Sequence, residues 1–86
     1  MVTVELYGVP RLRAGASSVE VPAGKLASIL HALASALPGL SPDIIRDGRL
    51  SEHALVAIDG REVVADPERV IADGATLVLI SAAAGG

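Results

Sequence analysis

The sequence predicts a small α+β domain in which a mixed sheet packs on one main helix. Three observations carry that prediction. Two segments near the start alternate apolar and polar residues, and one segment between 26 and 37 repeats its apolar residues at helical spacing. The second half holds three β-prone runs bounded by Asp-Gly turns. At 86 residues the chain is one domain, because domains typically take about 100–200 residues each.

Residues Val2 to Tyr7 place Val2, Val4 and Leu6 on one face and Thr3, Glu5 and Tyr7 on the other, the period of a half-buried strand. Gly8, Pro10 and Gly15 punctuate the next segment, which reads as a loop. Ser18-Val19-Glu20-Val21 alternates again and is expected to pair back on the first strand. Leu26, Ile29, Leu30, Leu33, Ala34 and Leu37 then form one face of a helix of about three turns. Gly24 and Lys25 stand where a helix start prefers Ser or Asp, whereas Pro38-Gly39 give a clear stop. Ser41-Pro42 reads as a cap with proline at the first helical position, predicting a short helical turn through Ile45. Leu55 to Ile58 and Arg61 to Val64 are strands joined by Asp59-Gly60, a hairpin turn whose two residues need positive φ. Asp66-Pro67 repeats the cap-plus-proline device and predicts one more helical turn, with Val70 and Ile71 facing inward. After Asp73-Gly74 the last strand runs from Thr76 to Ile80. The domain is therefore expected over residues 1–80, followed by a flexible tail, 81–86, ending in Gly-Gly.

Composition narrows the function. Hydrophobic residues at 51% and charged residues at 20% exclude the disordered class. A net charge of −3 argues against nucleic acid as a partner, since no excess of Lys and Arg exists to release counterions. The absence of cysteine excludes a disulfide framework, a thiol nucleophile and a thiolate metal site. No apolar run approaches the roughly 18 residues of a membrane span, and Glu5 interrupts the run where a leader would be apolar. A cytoplasmic domain with no membrane partner is expected. Tyr7 is the single aromatic residue, so base-stacking platforms are missing and the core must be aliphatic.

No catalytic constellation stands out, and the chain is not expected to be an enzyme by itself. His31 lies off the apolar stripe and His53 in a polar loop, which makes both surface residues in place of a metal pair. The serines lack a nucleophile elbow, and the three Asp-Gly pairs are turn chemistry in place of a phosphate loop. No metal or bound cofactor is expected.

Two features remain. The last strand runs into Ser81-Ala82-Ala83-Ala84-Gly85-Gly86, a charge-free run of small residues. Such a run fits simple fraying, and it also fits a thin chain entering a narrow tunnel, with the Gly86 carboxylate as its one reactive group. In Thr76 to Ile80, Leu77 and Leu79 can face the helix, which leaves Val78 and Ile80 on the other face beside Tyr7. A sheet covered on one side should be polar on the other. This face is a partner surface, or one covered by a loop or by self-association.

These residues give the chain its resemblance to a known family. Val4-Glu5-Leu6-Tyr7-Gly8, Arg11-Leu12-Arg13-Ala14-Gly15, Pro38-Gly39-Leu40, Asp47-Gly48-Arg49-Leu50 and Val56-Ala57-Ile58-Asp59-Gly60 occur in order. Ile71-Ala72-Asp73-Gly74-Ala75-Thr76-Leu77-Val78-Leu79-Ile80 follows, with Gly85-Gly86 at fixed spacing. Over nearly its whole length the chain resembles the ubiquitin-like β-grasp sulfur carriers, which include the molybdopterin synthase small subunit and the thiamin-pathway carrier. The Leu6-Tyr7-Gly8 opening and the length look closer to the molybdopterin branch.

The resemblance implies a β-grasp fold and a C-terminal glycine that an ATP-dependent, ubiquitin-activating-like adenylyltransferase adenylates before conversion to a thiocarboxylate. Gly86 would bear the sulfur, with Gly85 as the slender residue beside it. Tyr7, Val78 and Ile80 would dock partners, and Ala82, Ala83 and Ala84 would enter them with the tail. The expected role is the small subunit of a molybdopterin synthase, with a large subunit as acceptor. Where many members of that branch have prolines after the last strand, this chain has Ser81-Ala82-Ala83-Ala84. That departure leaves other acceptors open: a thiazole precursor, an activated amino acid, a tRNA base or a secondary metabolite. A covalent protein modifier and an interaction module with an inert tail are the alternatives from other classes.

Overall fold

The computed structural model of the chain describes residues 1–82. Strands β1 (Val2–Leu6) and β2 (Ser18–Val21) form an antiparallel pair, with Val2 opposite Val21 and Glu5 opposite Ser18. The last strand, β9 (Thr76–Ser81), inserts beside β1 in parallel, with Thr3 opposite Thr76 and Leu6 opposite Leu79. Its other edge pairs antiparallel with β6 (Ala54–Ile58), which turns through Asp59-Gly60 into β7 (Glu62–Val64). Asp59 at φ 53 and Gly60 at φ 69 supply the two positive angles that this turn requires. The result is a five-stranded mixed sheet in the order β2-β1-β9-β6-β7.

The main helix, α2 (Leu26–Ala36), lies on one face and presents Leu26, Ile29, Leu30 and Leu33 to it. From the sheet, Val2, Val4, Leu6, Val56, Leu77 and Leu79 meet them, each fully buried. Leu40, Ile44, Ile45 and Ile71 close the ends of this aliphatic core. The helix start without a capping side chain is explained by its surroundings. The N–H groups of Leu26 and Ala27 donate to the carbonyls of Arg69 (2.8 Å) and Pro67 (3.0 Å), so a distant turn satisfies donors that a Ser or Asp would otherwise take.

Four expectations from the sequence are corrected. Residues 8–15 are not a loop: Gly8–Ala14 form a short helix, α1, closed by Gly15 at φ 70, whose N–H donates to the Arg11 carbonyl at 3.0 Å. Pro10 sits in its first turn and Gly15 just past its end, the usual placement of both residues in a helix too short to show a period. Ser41-Pro42, a cis peptide, does not start a helix. The chain makes a 3₁₀ turn at Pro38–Leu40 and an irregular turn, then a small hairpin of β4 (Ile45–Arg46) and β5 (Arg49–Leu50) through Asp47-Gly48. Asp66-Pro67 does not start one either. The Asp66 carboxylate accepts the Glu68 N–H at 2.9 Å in a single turn, and β8 (Val70–Ile71) then pairs with β3 (Gly24–Lys25). Strand alternation buries Ile71 but leaves Val70 67% exposed, so only Ile71 faces inward. Finally, the last strand ends at Ser81, one residue beyond the expected Ile80.

Candidate functional site

The end of β9 is held on both sides. The Tyr7 N–H donates to the Leu79 carbonyl at 3.0 Å, and the Val9 N–H donates to Ser81 Oγ at 3.1 Å. Gly8 has φ 62, and a Cβ there would stand 3.0 Å from Ser81 Oγ, so glycine allows α1 to approach the strand end. On the other side the Ala82 N–H donates to the His53 carbonyl at 2.9 Å. Chain leaving Ala82 thus departs from a fixed point, at the mouth of an open groove of about 1030 Å³ that is walled by Val9, Arg13, Arg46, Arg49 and His53. Sequence reasoning missed Gly8, Ser81 and His53 as the residues that set this exit. The Tyr7-Gly8 step was its one visible signal.

The face of the sheet away from α2 divides in two. On β2 and β1 it carries Ser18, Glu20, Thr3 and Glu5, and the Tyr7 hydroxyl donates to Glu5 Oε1 at 3.0 Å. That bond, and then the carboxylate's charge, raises the phenol pKa and keeps Tyr7 a neutral donor. On β9, β6 and β7 the same face is apolar: Val78 stands opposite Ala57, Ile80 opposite Leu55 and Ala57 opposite Val63. Leu55 is 39% exposed and Val63 59%. The structure therefore brings Tyr7, Val78 and Ile80 together on one open face. It adds Leu55 and Val63, whose face is set by their register with β9 and β6 and not by the hairpin pattern.

Ala82 lies at the exit, while Ala83, Ala84, Gly85 and Gly86 fall outside the described residues. His31 is exposed, as its place off the stripe implied, and its ring lies over the buried Gly48 of the β4–β5 turn, where a Cβ would come within 2.7 Å of it. Among the described residues, no helix is long and apolar enough to cross a membrane.

Comparison with solved structures places this geometry. The crystal structure of SAMP1 from Haloferax volcanii matches at a TM-score of 0.83 and 28% identity, covering 99% of this chain and 98% of that one. A chain of the Amycolatopsis orientalis BexX/CysO complex matches over 100% of both, at a TM-score of 0.80 and 27% identity. The chain has the ubiquitin-like β-grasp fold, and these neighbours are ubiquitin-like sulfur carriers and modifiers. A putative molybdopterin converting factor subunit 1 from Pyrococcus furiosus shares the β-grasp fold at a TM-score of 0.70 and 16% identity, over 93% of this chain and 94% of that one. No protein-family model and no curated protein sequence matches the chain. In β-grasp terms, the exit at Ala82 and the apolar half of the open face adjoin: Ser81 and Ile80 are successive residues of the strand that forms both.

Proposed function

We propose that this β-grasp protein carries sulfur on its C-terminal glycine. A Gly86 carboxylate oxygen attacks the α-phosphorus of ATP on a ubiquitin-activating-like adenylyltransferase, and pyrophosphate leaves. Hydrosulfide supplied by a sulfur donor then attacks the acyl carbon, the C–O bond to AMP breaks and AMP departs, and loss of the S–H proton leaves a thiocarboxylate that donates sulfur to an acceptor enzyme. The chain needs no cofactor of its own; ATP is consumed by the partner. Val78, Ile80, Leu55 and Val63 dock the partner, Tyr7 supplies a hydrogen-bond donor at the patch edge, and Ala82, Ala83, Ala84 and Gly85 are slender enough to enter its active site.

The observation that carries this reading is the coupling of an apolar open face to a fixed strand end, followed by small residues and Gly-Gly. A partner that grips the face receives the tail from a defined position, and positioning to within about 1 Å governs acyl chemistry. The acceptor suggested by the Leu6-Tyr7-Gly8 opening is the large subunit of a molybdopterin synthase. The neighbours above a quarter identity support the carrier role more broadly than that one acceptor. A second reading, a covalent protein modifier, draws on the full name of SAMP1, small archaeal modifier protein 1, of which another Haloferax volcanii crystal structure matches at 26% identity.

Intact-mass measurement after incubation with the activating enzyme, ATP and a sulfur donor tests the proposal. The expected product gains the mass of one oxygen-to-sulfur exchange at Gly86. Branched conjugates without a thioacid would favour the modifier, and neither product would leave an inert module.

A further inference from the structure

The chain has seven basic side chains, and six of them are arginines: Arg11, Arg13, Arg46, Arg49, Arg61 and Arg69. Lys25 is the single lysine and cysteine is absent, so primary amines and thiols are almost missing from the molecule. An arginine guanidinium stays protonated and is no nucleophile at neutral pH, whereas a lysine amine becomes one on losing its proton.

The few amines are also placed away from the exit. Lys25 stands opposite Val70 and immediately before α2, whose far end leads to the Pro38–Leu40 turn, where a Cβ on Gly39 would meet the Arg13 carbonyl of α1. Lys25 therefore lies at the end of the domain opposite α1 and Ser81. The Met1 amine lies at that same far end, since Met1 precedes β1 and its carbonyl accepts the Gly74 N–H. Each amine is paired with a carboxylate, Lys25 Nζ with Glu68 at 2.8 Å and the Met1 amine with Asp73. From Thr76 to Ala82 the strand rises about 20 Å at about 3.3 Å per residue. The four residues after Ala82 span at most about 13–14 Å. By contrast every cationic side chain lining the groove at the exit is an arginine: Arg13, paired with Asp43 at 2.6 Å, and Arg46 and Arg49, which stand opposite each other across the β4–β5 ladder beside Asp47 and Glu52.

We infer that the end of the domain which delivers the C-terminus is kept free of primary amines, its cations all being arginines, so that the activated C-terminus reaches its acceptor instead of acylating the carrier. This rests on the reading that Gly86 is activated. The reaction avoided is aminolysis: an amine nitrogen attacks the acyl carbon, an amide C–N bond forms, the C–O bond to AMP breaks, and the nitrogen's proton passes to solvent. His53, the imidazole in the groove, would give an acyl-imidazole that water reopens, so it does not consume the carrier as a stable amide. The arrangement also limits self-conjugation: a branched chain of this protein on itself could grow only from Lys25.

The test needs no activating enzyme, so its failure is separate from failure of the carrier reading. Intein cleavage with a small thiol yields the full chain as a Gly86 thioester, which is held at about 10 μM near pH 8 and followed by intact mass. Wild type should only hydrolyse. Arg46→Lys/Arg49→Lys, which keeps both charges, should lose the thiol and close a ring amide. An amine tethered within reach experiences a millimolar effective concentration, about a hundredfold above the protein itself. Arg61→Lys, at the far end beside the Asp59-Gly60 turn, should behave as wild type. Ring closure confined to the groove variant supports the inference. A groove variant as inert as wild type, or a wild type that forms amides on Lys25 or Met1 as fast as the groove variant, overturns it.

Discussion

Leu79 and Ile80 are successive residues on opposite faces of β9, so substituting them separates stability from the proposed docking. Leu79 is fully buried against α2. Leu79→Ala removes three carbons, about 2.4 kcal/mol at about 0.8 per methylene, and the cavity left behind brings the loss into the range of about 2–5 kcal/mol. A domain of this size loses about 4–8 °C in Tm per kcal/mol, so a mid-range loss of about 3 kcal/mol lowers Tm by about 12–24 °C. Ile80 faces the open side, with Leu55 as its cross-strand neighbour. Ile80→Asp forfeits that pair, worth about 0.2–1 kcal/mol, and lowers strand preference by up to about 1 kcal/mol. A mid-range sum of about 1 kcal/mol lowers its Tm by about 4–8 °C. Docking should suffer far more, because a carboxylate would be desolvated at the contact; a loss of at least about 2 kcal/mol corresponds to about a 30-fold rise in the KM for the carrier. Circular-dichroism melts measure the first effect, and pyrophosphate release by the activating enzyme against carrier concentration measures the second. If Ile80→Asp melts as low as Leu79→Ala, the open face is core and the docking argument fails.

Other perturbations test neighbouring parts of the argument. Deleting Gly86 should leave the melt unchanged and abolish sulfur uptake by intact mass, since the carboxylate then ends about 3.3–3.6 Å short of its site; normal uptake by the truncated chain would refute the carrier mechanism. Gly85→Val should do the same by adding bulk where the chain must be thin. Gly48→Ala combines φ 71 with a Cβ 2.7 Å from the His31 ring, so it should destabilise by about 1–3 kcal/mol, and adding His31→Ala should recover part of that loss in a double-mutant cycle of melts. The Arg69 guanidinium, by hydrogen bond and then by charge, holds the Glu62 carboxyl below the ordinary carboxylate range. Its contribution is thus present above the unfolded pKa and disappears as pH falls through the lowered one. Melts of wild type and Glu62→Gln should differ slightly at pH 7, converge in acid and converge at high salt; a difference that survives acid would exclude this pair as its source.

The parts of the fold with a repeating pattern were legible in the residues. Alternation in Val2–Leu6 and helical spacing in Leu26–Leu33 correspond to long elements that bury one face, so each residue contributes to a single signal. Asp59-Gly60 was legible because its backbone requirement belongs to the two residues themselves. What failed was short: α1 has seven residues, and β3, β4, β5 and β8 have two each, too few for a period to emerge. Their conformations come from distant partners. Gly24 and Lys25 are extended because Val70 and Ile71 pair with them, and Asp66-Pro67 makes a turn whose carbonyls serve a helix start some 40 residues earlier, a separation within the range that ordinary chain closure allows.

The same distinction applies to the site. Val78 and Ile80 were legible because an apolar residue on the face that should be polar is a local contradiction, readable from β9 alone. Leu55 and Val63 were not, since their face depends on register with β9 and β6. Nor was the clamp on Ser81 and Ala82, which depends on Val9 and His53, residues 72 and 29 positions away. Placing β9 between β1 and β6 resolves both gaps at once. The strand is held by ladders on both edges as far as Leu79, and its last residue, Ser81, by the β6 ladder on one side and the Val9 N–H on the other, so its end has a defined position. An edge strand would have offered one ladder and a frayed end. The central position of the last strand thus links the aliphatic core to the strand end: what holds Leu77 and Leu79 against α2 also fixes the place of Ser81.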